Sequence, residues 1–589
     1  MLGSLLAGII GCAGVGSVGG SANAGGGTSV PSLGPAVIFF SDLDSGTNLG
    51  GENGNGVYVT VYGANFGSSQ QGNMVKIGGT AAVNYKVWTN KQVAFQVPSG
   101  VPLGSQSISV VVGGAASNSV PFTVRAQGKV YCVSPTGSNS DTGVFGHCWR
   151  NVQHAVDVIQ PGDVVYIREG IVEAQPGEGS GSVGIGLNQY VTGTAGNPIA
   201  LVGYPGETAQ IGQIGSGPCS SSQCFEGVAT YDNNSLYSYF TIANLVLRGN
   251  NYALVATANY LQAAPRSHNW RIVGNDISCP FGDGATACVE TSQVDNVSFY
   301  GNNVHDVGWT GASTLYHGVY FSTDSNHIDA GWNTIAHVNG GSGMQFHSSP
   351  LNGGGSGDPT GHQQFDLHVH DNIVSDVQNS GLLLATVDPS QGPVEVFNNI
   401  VYHVGRGPSQ NGQGGYFCVD FPGYVNAPPA GGGVAEVYNN TLYDCGPQTA
   451  QGQLGPGWGG AFDSSGPQNG QPNLQVRIRN NIVYQPTAGE YYWSISGGAT
   501  GDCSAICNNI NGTNNLFFGL GAPPANPNVS GSLNVDPEFV SPASSDFHLQ
   551  SSSPARAAGV STGLTVDLDG LPRPTAQPPD LGAYNVNQH

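Results

Sequence analysis

Apolar and polar residues alternate in short runs along most of this chain, and its second half repeats one phrase. The phrase is an asparagine, any residue, an aliphatic residue, any residue and then usually Asp or His, as in residues 302–306 and 399–403. A constant turn joined by loops of variable length is typical of a solenoid, whose coils stack about 4.8 Å apart. The repeated asparagines are Asn275, Asn302, Asn333, Asn372, Asn399, Asn440 and Asn481.

Stacked coils place equivalent residues in columns. Three positions before each asparagine the residue is almost always apolar, so this column is expected to point inward, and the residues two and four positions before the asparagine then point outward. The column at position −4 is Arg271, Ser298, Asp329, His368, Glu395, Glu436 and Arg477. The column at position −2 is Val273, Tyr300, Gly331, His370, Phe397, Tyr438 and Arg479.

This outer face gathers carboxylate and imidazole groups that suit acid–base catalysis. Asp329, His368, Glu395 and Glu436 are the predicted catalytic residues. Asp329 and Glu395 lie two coils apart, about 9.6 Å, near the separation that leaves room for a water molecule in inverting glycosidases. Glu395 and Glu436 lie about 5 Å apart, as in retaining glycosidases, and like charges at that distance are expected to raise the pKa of one of them.

The groups around these residues are predicted to bind substrate. Tyr300, Phe397 and Tyr438 would stack on sugar rings, and Arg477 and Arg479 would bind a carboxylate. Asp366, at position −6 of its coil, and His370 complete the predicted substrate-binding set. No lysine follows Lys129, so an elimination reaction would need His368, an arginine or a tyrosine as its base.

Other interpretations of these columns stay open. A polar outer column is by default a solvated face. His368 and His370 with Asp329 or Asp366 would suit a two-His, one-carboxylate metal site, and a divalent ion such as calcium is a second option, so the cofactor is left unknown. The column at position +4 is expected to cap turns, and it contains Asp306, His337, Asp376, His403 and Asp444. A reserve cluster on the following strand and its loops is His317, Asp324 and His347.

Composition narrows the choice of partner and compartment. Only 9% of the residues are charged and the net charge is −22, which disfavours binding to nucleic acid and anionic lipid. Ten of the eleven cysteines form local pairs, which predicts disulfides and an oxidising compartment. The pairs are Cys132/Cys148, Cys219/Cys224, Cys279/Cys288, Cys418/Cys445 and Cys503/Cys507.

The first 34 residues are expected to be an export segment and a linker. The apolar start lacks the usual Lys or Arg, yet residues 22–24 fit a signal-peptide cleavage site, and residues 9–12 resemble a lipoprotein box that would leave a lipid anchor on Cys12. Beyond this segment no stretch approaches the ~20 apolar residues of a membrane helix. The predicted location is extracellular or on the surface of a bacterial cell.

Residues 35–124 show the alternating short runs and Gly/Asn turns of a β-sandwich. Residues 62–67 (YGANFG), 75–79 (VKIGG), 97–100 (VPSG) and 117–122 (SNSVPF) resemble the IPT/TIG family of immunoglobulin-like domains. The resemblance implies a spacer or a glycan-contacting module.

A second resemblance begins at residues 130–138 (VYCVSPTGS) and continues through 149–156 (WRNVQHAV) and 160–170 (QPGDVVYIREG). These motifs are similar to the opening of secreted right-handed parallel β-helix proteins of the pectate-lyase-like superfamily. The resemblance implies an all-β fold, with a right-handed parallel β-helix over 128–530 capped by an amphipathic helix at 151–159. Motifs near 536–539, 546–549 and 580–584 resemble the tail of such proteins, so 531–589 is expected to be a C-terminal cap or tail.

The predicted function is that of an exported protein that binds a polysaccharide and cleaves it, as a glycoside hydrolase or a polysaccharide lyase. The alternative is a non-catalytic cell-surface or adhesive β-helix protein, because this superfamily includes both and fold alone does not fix chemistry. Crowding of acidic and imidazole groups on one face favours the enzyme.

Overall fold

The computed structural model describes residues 34–173, 181–187, 192–219, 224–230, 236–257, 266–348, 364–407, 416–422, 433–446, 459–464, 474–487, 491–493, 509–520, 526 and 528–586. Strands dominate these residues. The N-terminal part is a β-sandwich of a four-stranded and a six-stranded sheet. Its strands are Val37–Ser41, Tyr58–Ala64, Gln92–Gln96 and Val83–Trp88 in the first sheet, and Ser45–Thr47, Val120–Arg125, Gly104–Val112, Met74–Ile77, Thr80–Ala81 and Ala115–Ala116 in the second.

Three long parallel sheets follow and form a β-helix, as the sequence predicted. Each coil contributes one strand to sheet 1, one to sheet 2 and one to sheet 3, in that order along the chain. The described strands of sheet 1 are Val130–Val133, Val164–Ile167, Ile199–Gly203, Phe240–Ala243, Ser267–Val273, Val294–Tyr300, Ile328–Gly331, Leu367–His370, Val394–Phe397, Gly433–Tyr438, Leu474–Arg479, Ile510–Thr513 and Val529–Ser530.

The strands of sheet 2 have two to five residues, and five of the eleven described contain a residue with left-handed backbone next to their last residue. Those described are Val172–Glu173, Gln210–Ile211, Val246–Arg248, Asp276–Cys279, Asn303–Val307, Thr334–Val338, Ile373–Val377, Ile400–Val404, Thr441–Cys445, Ile482–Gln485 and Leu516–Gly519. Those of sheet 3 are Gly181–Leu187, Cys224–Thr230, Tyr252–Thr257, Thr286–Ser292, Tyr316–Ser322, Met344–His347, Leu382–Leu384, Phe417–Phe421, Gly460–Ser464 and Tyr491–Trp493.

The repeated asparagines stack as a buried ladder in the turn between sheets 1 and 2. Asn372 is typical: its amide nitrogen Nδ2 donates to Oδ1 of Asn399 (3.0 Å) and to the carbonyl of Ala330 (2.9 Å). Its Oδ1 accepts hydrogen bonds from the backbone and side-chain nitrogens of Asn333. Each asparagine therefore satisfies buried polar groups of two neighbouring coils, which explains why the turn is constant while the other loops vary.

The inside of the solenoid is a continuous apolar core. All seven residues at position −3 are fully buried in it, as the period of two predicted. The helix Val152–Val158 covers the N-terminal end of this core with its buried face of Val152, Ala155 and Val156. The predicted capping helix is confirmed.

All five residues of the predicted column at position +4 adopt a left-handed backbone conformation. The φ angles of Asp306, His337, Asp376, His403 and Asp444 lie between 50° and 56°. Asp is among the residues that tolerate this conformation best, and His is also enriched there. This backbone requirement accounts for the residue types at this position.

The sandwich does not stand apart from the solenoid. Its apolar residues share one core with outward-facing residues of the first coils of sheet 1, among them Val164, Tyr166 and Val202. The Tyr166 hydroxyl donates to the carbonyl of Tyr58 (2.7 Å). Farther along sheet 1, Arg271 donates to the carbonyl of Ser41 (2.7 Å). The outer face of sheet 1 is thus covered by the sandwich at its N-terminal coils and uncovered only farther along.

The C-terminal segment lies along the outer face of sheet 2. Its hairpin strands Phe539–Ser541 and Asp546–Leu549 pack with Leu581 and Ala583 against outward-facing residues of that sheet, including Ile400 and Tyr443. Arg573, which is buried, donates to Oδ1 of Asn398 at the turn between sheets 1 and 2 (2.8 Å). The segment thereby buries apolar side chains that the solenoid would otherwise expose.

Four disulfides lie among the described residues, and each joins a predicted pair. They are Cys132–Cys148, Cys219–Cys224, Cys279–Cys288 and Cys418–Cys445. Cys503, Cys507 and Cys12 lie outside the described residues. Four disulfides indicate folding in an oxidising compartment. No helix in the described part of the chain has the length and apolar character to cross a membrane.

Candidate functional site

The predicted columns at positions −4 and −2 exist in the structure. Strand pairing places Asp329 beside His368, His368 beside Glu395, Glu395 beside Glu436 and Glu436 beside Arg477. The second column pairs His370 with Phe397, Phe397 with Tyr438 and Tyr438 with Arg479. The predicted site residues that lie on strands of sheet 1 are therefore all on the same outer face of that sheet.

His368 lies between two carboxylates. Its Nδ1 is 3.0 Å from Oε2 of Glu395, and its Nε2 is 3.2 Å from Oδ1 of Asp366. Asp366 also contacts Nδ1 of His327 at 2.5 Å. The hydrogen bond with Glu395 raises the pKa of His368, and the same bond lowers the pKa of Glu395. A raised pKa favours the protonated ring, so this environment suits His368 better as an acid than as the base that an elimination reaction would need.

His370 is held by a second pair of carboxylates. Its Nε2 is 2.7 Å from Oδ1 of Asp329, and its Nδ1 is 2.8 Å from Oδ2 of Asp371. Burial favours the neutral ring, but these hydrogen bonds outweigh it and raise the pKa of His370 to about 9. Only 9% of the side chain is exposed, and the ring stacks on Phe397 with centroids 4.9 Å apart. Substrate binding by His370 stays a prediction, and its two ion pairs fix the position of the ring.

Asp329 is the most exposed carboxylate of this group, at 42% of its side chain. Burial raises the pKa of Asp329. The hydrogen bonds from His370 and from the Tyr300 hydroxyl, which is 2.6 Å from Oδ2, lower this pKa, and their effect is the larger. Asp329 is therefore an ionised carboxylate at neutral pH.

An aromatic ladder runs beside the charged column. Phe397 stacks on Tyr438 with centroids 5.0 Å apart, and the guanidinium of Arg479 lies over the Tyr438 ring. Tyr300 and Trp332 continue the ladder toward Phe40 of the sandwich. Since Tyr438 is 6% exposed, its ring stabilises the protein interior more than it offers a platform for sugars.

Glu395 and Glu436 do not form the predicted acid–base pair. Glu395 contacts His368, whereas Glu436 contacts Arg477 (3.2 Å) and Arg479 (3.1 Å). Each carboxylate is compensated by its own cation, so the pKa of Glu395 is lowered and not raised by its neighbour. The two arginines are already paired, which leaves less of their charge for a carboxylate of a substrate.

Among the described residues, no group of three or more His, Cys, Asp or Glu side chains is arranged to hold a metal ion. The two histidines of the predicted metal site, His368 and His370, each direct both ring nitrogens at carboxylates. Asp329 and Asp366, the predicted oxygen ligands, bind different imidazoles. The predicted two-His, one-carboxylate arrangement is therefore wrong for this face.

A second set of titratable side chains lies on the outer face of sheet 3. Of this set, the sequence analysis singled out only His317 and His347. Strand pairing stacks outward-facing residues in the column Val255, Glu290, Tyr320, Gln345, Leu383, Asp420 and Asp463. Asp420 and Asp463 stand on adjacent coils, and both are buried. We call these two residues the carboxyl pair.

The surroundings of Asp420 differ from those of the ion-paired carboxylates on sheet 1. The Ser380 hydroxyl donates to Oδ2 of Asp420 (2.6 Å), and Asp463 stands beside Asp420 on the next coil. Burial, and then the charge of Asp463, raises the pKa of Asp420 well above its usual value. Two neighbouring carboxyl groups, one of them with a raised pKa, are an arrangement in which one can act as an acid and the other as a base.

The reserve cluster is split by the structure. His317 and His347 do lie on sheet 3, flanking Tyr320, whose hydroxyl is 3.0 Å from Nδ1 of His347. Burial lowers the pKa of His317 to about 3 and that of His347 to about 4, so both rings are neutral. Asp324, in contrast, contacts Arg266 at 2.9 Å and belongs to a different group.

Glu290 completes the face of sheet 3. Burial raises its pKa, and the Thr286 hydroxyl donates to its Oε2 at 2.5 Å. The face thus contains carboxyl groups with raised pKa values, Glu290 and Asp420, and neutral imidazoles, in contrast to the ion-paired face of sheet 1. Desolvated groups held in these protonation states are typical of catalytic sites.

The buried ion pairs of sheet 1 predict a dependence of stability on pH. His370 has a folded-state pKa of about 9 against 6.5 when unfolded, so its contribution is complete below pH 6.5 and is lost as pH rises through 9. The expected loss is about 3 kcal/mol. The melting temperature of the His370→Gln variant should therefore fall less between pH 6.5 and pH 10 than that of the wild type.

The matched control for this experiment is His337→Gln, which alters an exposed imidazole. It should leave the pH dependence of the melting temperature unchanged. If His370→Gln and the wild type lose the same number of degrees, His370 is not a protonated ion-pair partner.

Comparison with known proteins agrees with the two-part architecture. Residues 50–124 match the family model of the IPT/TIG domain, as the sequence predicted. No curated protein matches the chain. Similar solved structures include the pectate lyase Pel9A, which is 12% identical with a TM-score of 0.47 over 79% of this chain and 97% of that chain.

Two further solved structures show the same low identity. XylC in complex with xylose is 8% identical, with a TM-score of 0.40 over 78% of this chain and 98% of that chain. A glycoside hydrolase is 8% identical, with a TM-score of 0.37 over 69% and 96%. Polysaccharide lyases and glycoside hydrolases are thus among the structural neighbours, and the reaction of this chain has to be argued from its own residues.

Proposed function

We propose that the protein is exported, binds a polysaccharide and hydrolyses it, with the carboxyl pair of Asp420 and Asp463 on sheet 3 as the catalytic centre. The observation that supports this most strongly is the position of two buried carboxyl groups on adjacent coils, where burial and the neighbouring charge raise the pKa of Asp420. A glycosidic bond needs an acid to protonate the leaving oxygen and a carboxylate to assist the departure of the sugar. The pair supplies both groups at neutral pH.

In this mechanism Asp420 gives its proton to the glycosidic oxygen. The ionised partner, Asp463, faces the sugar carbon that becomes positively charged, either as a nucleophile or as a stabilising charge. Asp420 and Asp463 pair on adjacent coils, whose strands are about 4.8 Å apart. The stereochemical outcome depends on the separation of the two carboxyl groups around the substrate, which is ~5–5.5 Å in retaining and ~6.5–9.5 Å in inverting glycosidases.

Neighbouring side chains on sheet 3 suit the binding of sugar hydroxyls. Tyr320 and Gln345 stand on the same column as the carboxyl pair and offer a hydroxyl and an amide. His347, neutral and bonded to Tyr320, can donate or accept a hydrogen bond without adding charge. A binding site of uncharged polar groups fits a glycan better than it fits a charged ligand.

The outer face of sheet 1 is a second candidate centre for the same reaction. There the protonated His368 would be the acid and the exposed Asp329 the base. All four predicted catalytic residues are held in ion pairs or charged hydrogen bonds, so these contacts must open before a proton moves. This observation favours a glycan-binding or structural role for sheet 1 and catalysis on sheet 3.

Lyase chemistry is the less favoured alternative. β-Elimination from a uronic acid needs a base and a cation that neutralises the substrate carboxylate. Arg477 and Arg479, the available cations on sheet 1, are both paired with Glu436. The lack of lysine after Lys129 removes a further candidate base.

The proposal is tested by incubating the purified protein with a panel of neutral and uronic-acid polysaccharides. We expect reducing ends to appear without the ultraviolet absorbance of unsaturated products. Absorbance would establish a lyase instead. Binding without either product would establish the non-catalytic cell-surface or adhesive protein and overturn the proposed enzyme.

A further inference from the structure

A cavity of about 690 Å³ lies at the corner where the outer face of sheet 2 meets the turn toward sheet 3. It belongs to neither of the two faces described above. Its apolar walls are Phe281, Ile214 and Trp309, and its polar lining includes Arg248, Asp306 and Asn339. Trp309 is 39% exposed and Ile214 is 40% exposed, whereas large apolar side chains in the described solenoid are otherwise mostly buried.

The aromatic walls are held in place by covalent and hydrogen bonds. Phe281 lies in the short turn closed by the disulfide Cys279–Cys288. Trp309 lies on the next coil, where the backbone nitrogen of Gly308 donates to the carbonyl of Cys279 (2.9 Å). Asn339, one coil farther, donates to the carbonyl of Gly308 (3.0 Å). Three consecutive coils thus fix the cavity before any ligand arrives, which lowers the entropic cost of binding.

The charges at the cavity compensate one another. Arg248 forms an ion pair with Asp276, and His305 lies between Asp276 (3.2 Å) and Asp306 (2.9 Å). Asp306 remains 59% exposed, so its oxygens can accept further hydrogen bonds. An anionic ligand would be repelled by this carboxylate and by the net charge of −22, whereas an uncharged polyhydroxyl ligand would not.

We propose that this cavity is an accessory binding site for a neutral pyranose unit of a polysaccharide, separate from the catalytic centre. The apolar face of the sugar ring would pack on Trp309 and Phe281, and its hydroxyls would bond to Asp306 and Asn339. A rigid aromatic wall with a few convergent polar groups is the usual composition of a small-molecule site. The substrate class rests on the proposed function, since an accessory site would hold the same polysaccharide that the carboxyl pair on sheet 3 cleaves.

Calorimetric titration with sugar hexamers tests this site. The probes are cellohexaose, xylohexaose and mannohexaose, with a hexamer of galacturonic acid as the charged comparison, and cleavage is prevented by an Asp420→Asn and Asp463→Asn background. At least one neutral hexamer should bind, and Trp309→Ala should weaken its binding at least ten-fold. Trp309→Phe, which keeps an aromatic face, should restore part of the affinity.

The matched control is Leu315→Ala, which removes an equally exposed apolar side chain outside the cavity lining. It should leave the affinity unchanged. If Trp309→Ala binds the neutral hexamer as tightly as the protein with Trp309 does, the proposed site is overturned. If the galacturonic acid hexamer binds more tightly than the neutral hexamers do, the assignment to a neutral sugar is overturned. If Trp309→Ala loses binding although no polysaccharide is ever cleaved, the accessory site stands and the proposed hydrolase falls.

Discussion

The Asp420→Asn variant is expected to hydrolyse the polysaccharide substrate about 10²–10⁴-fold more slowly than the wild type, the usual contribution of a general acid. Asparagine matches the shape of the protonated carboxyl group and keeps its hydrogen bond with Ser380, but it has no proton to give. The release of reducing ends under saturating substrate measures the loss. Because burial raises the pKa of Asp420 and so disfavours its charged form, a neutral amide at this position should keep the melting temperature of the variant close to that of the wild type.

Two control variants make this prediction specific. Asp388→Asn alters a buried carboxylate that caps a turn through Ser390 and Gln391, away from the carboxyl pair, and should retain activity. The triple variant Asp329→Asn, His368→Gln, Glu395→Gln removes the predicted centre of sheet 1. Loss of turnover in the triple variant together with full turnover in Asp420→Asn would move the catalytic centre to sheet 1.

The Asn372→Ala variant is expected to lose about 2–6 kcal/mol of stability. The substitution removes the partners of at least two buried backbone groups, the nitrogen of Asn333 and the carbonyl of Ala330, at ~1–3 kcal/mol each. The effect should appear as a lower melting temperature by calorimetry. Asn303→Ala, which alters an exposed asparagine two coils away, should change it little. Equal losses in the two variants would show that the ladder contributes nothing beyond an ordinary surface contact.

The repeated asparagine explains why sheet 1 could be predicted so closely. The ladder fixes the backbone on both sides of each asparagine, so counting backwards from it gives the correct strand register. Asp329, His368 and Glu395 were therefore placed side by side from the sequence alone. The ion pairs could not be predicted in the same way, because partners such as Asp371 lie in turns with left-handed backbone.

The carboxyl pair on sheet 3, which we propose as the catalytic centre, escaped prediction because variable loops separate it from the ladder. Asp420 lies 21 residues after Asn399, Asp463 lies 23 residues after Asn440, and Gln345 lies only 12 residues after Asn333. No constant offset aligns them. A detectable feature was present nonetheless, since residues 417–421 and 460–464 each place an Asp inside an apolar run. A buried carboxyl group is costly unless it is bonded, so such a position indicates a special role.

The packing of the sandwich was also only partly predictable. The resemblance to the IPT/TIG family predicted that a sandwich domain is present, but it did not predict where this domain packs on the solenoid. The strands Val164–Ile167 and Ile199–Gly203 are apolar on both faces, which is typical of strands covered on both sides. That pattern required a partner over the first coils of sheet 1, and the sandwich provides it.

The most direct test of the central claim is a crystal structure of the Asp420→Asn variant with an oligosaccharide of the substrate found in the panel. The account predicts electron density for the sugar on the outer face of sheet 3, with a glycosidic oxygen next to residue 420 and a sugar carbon facing Asp463. Sugar bound instead along Asp329, His368 and Glu395, with nothing on sheet 3, would contradict it.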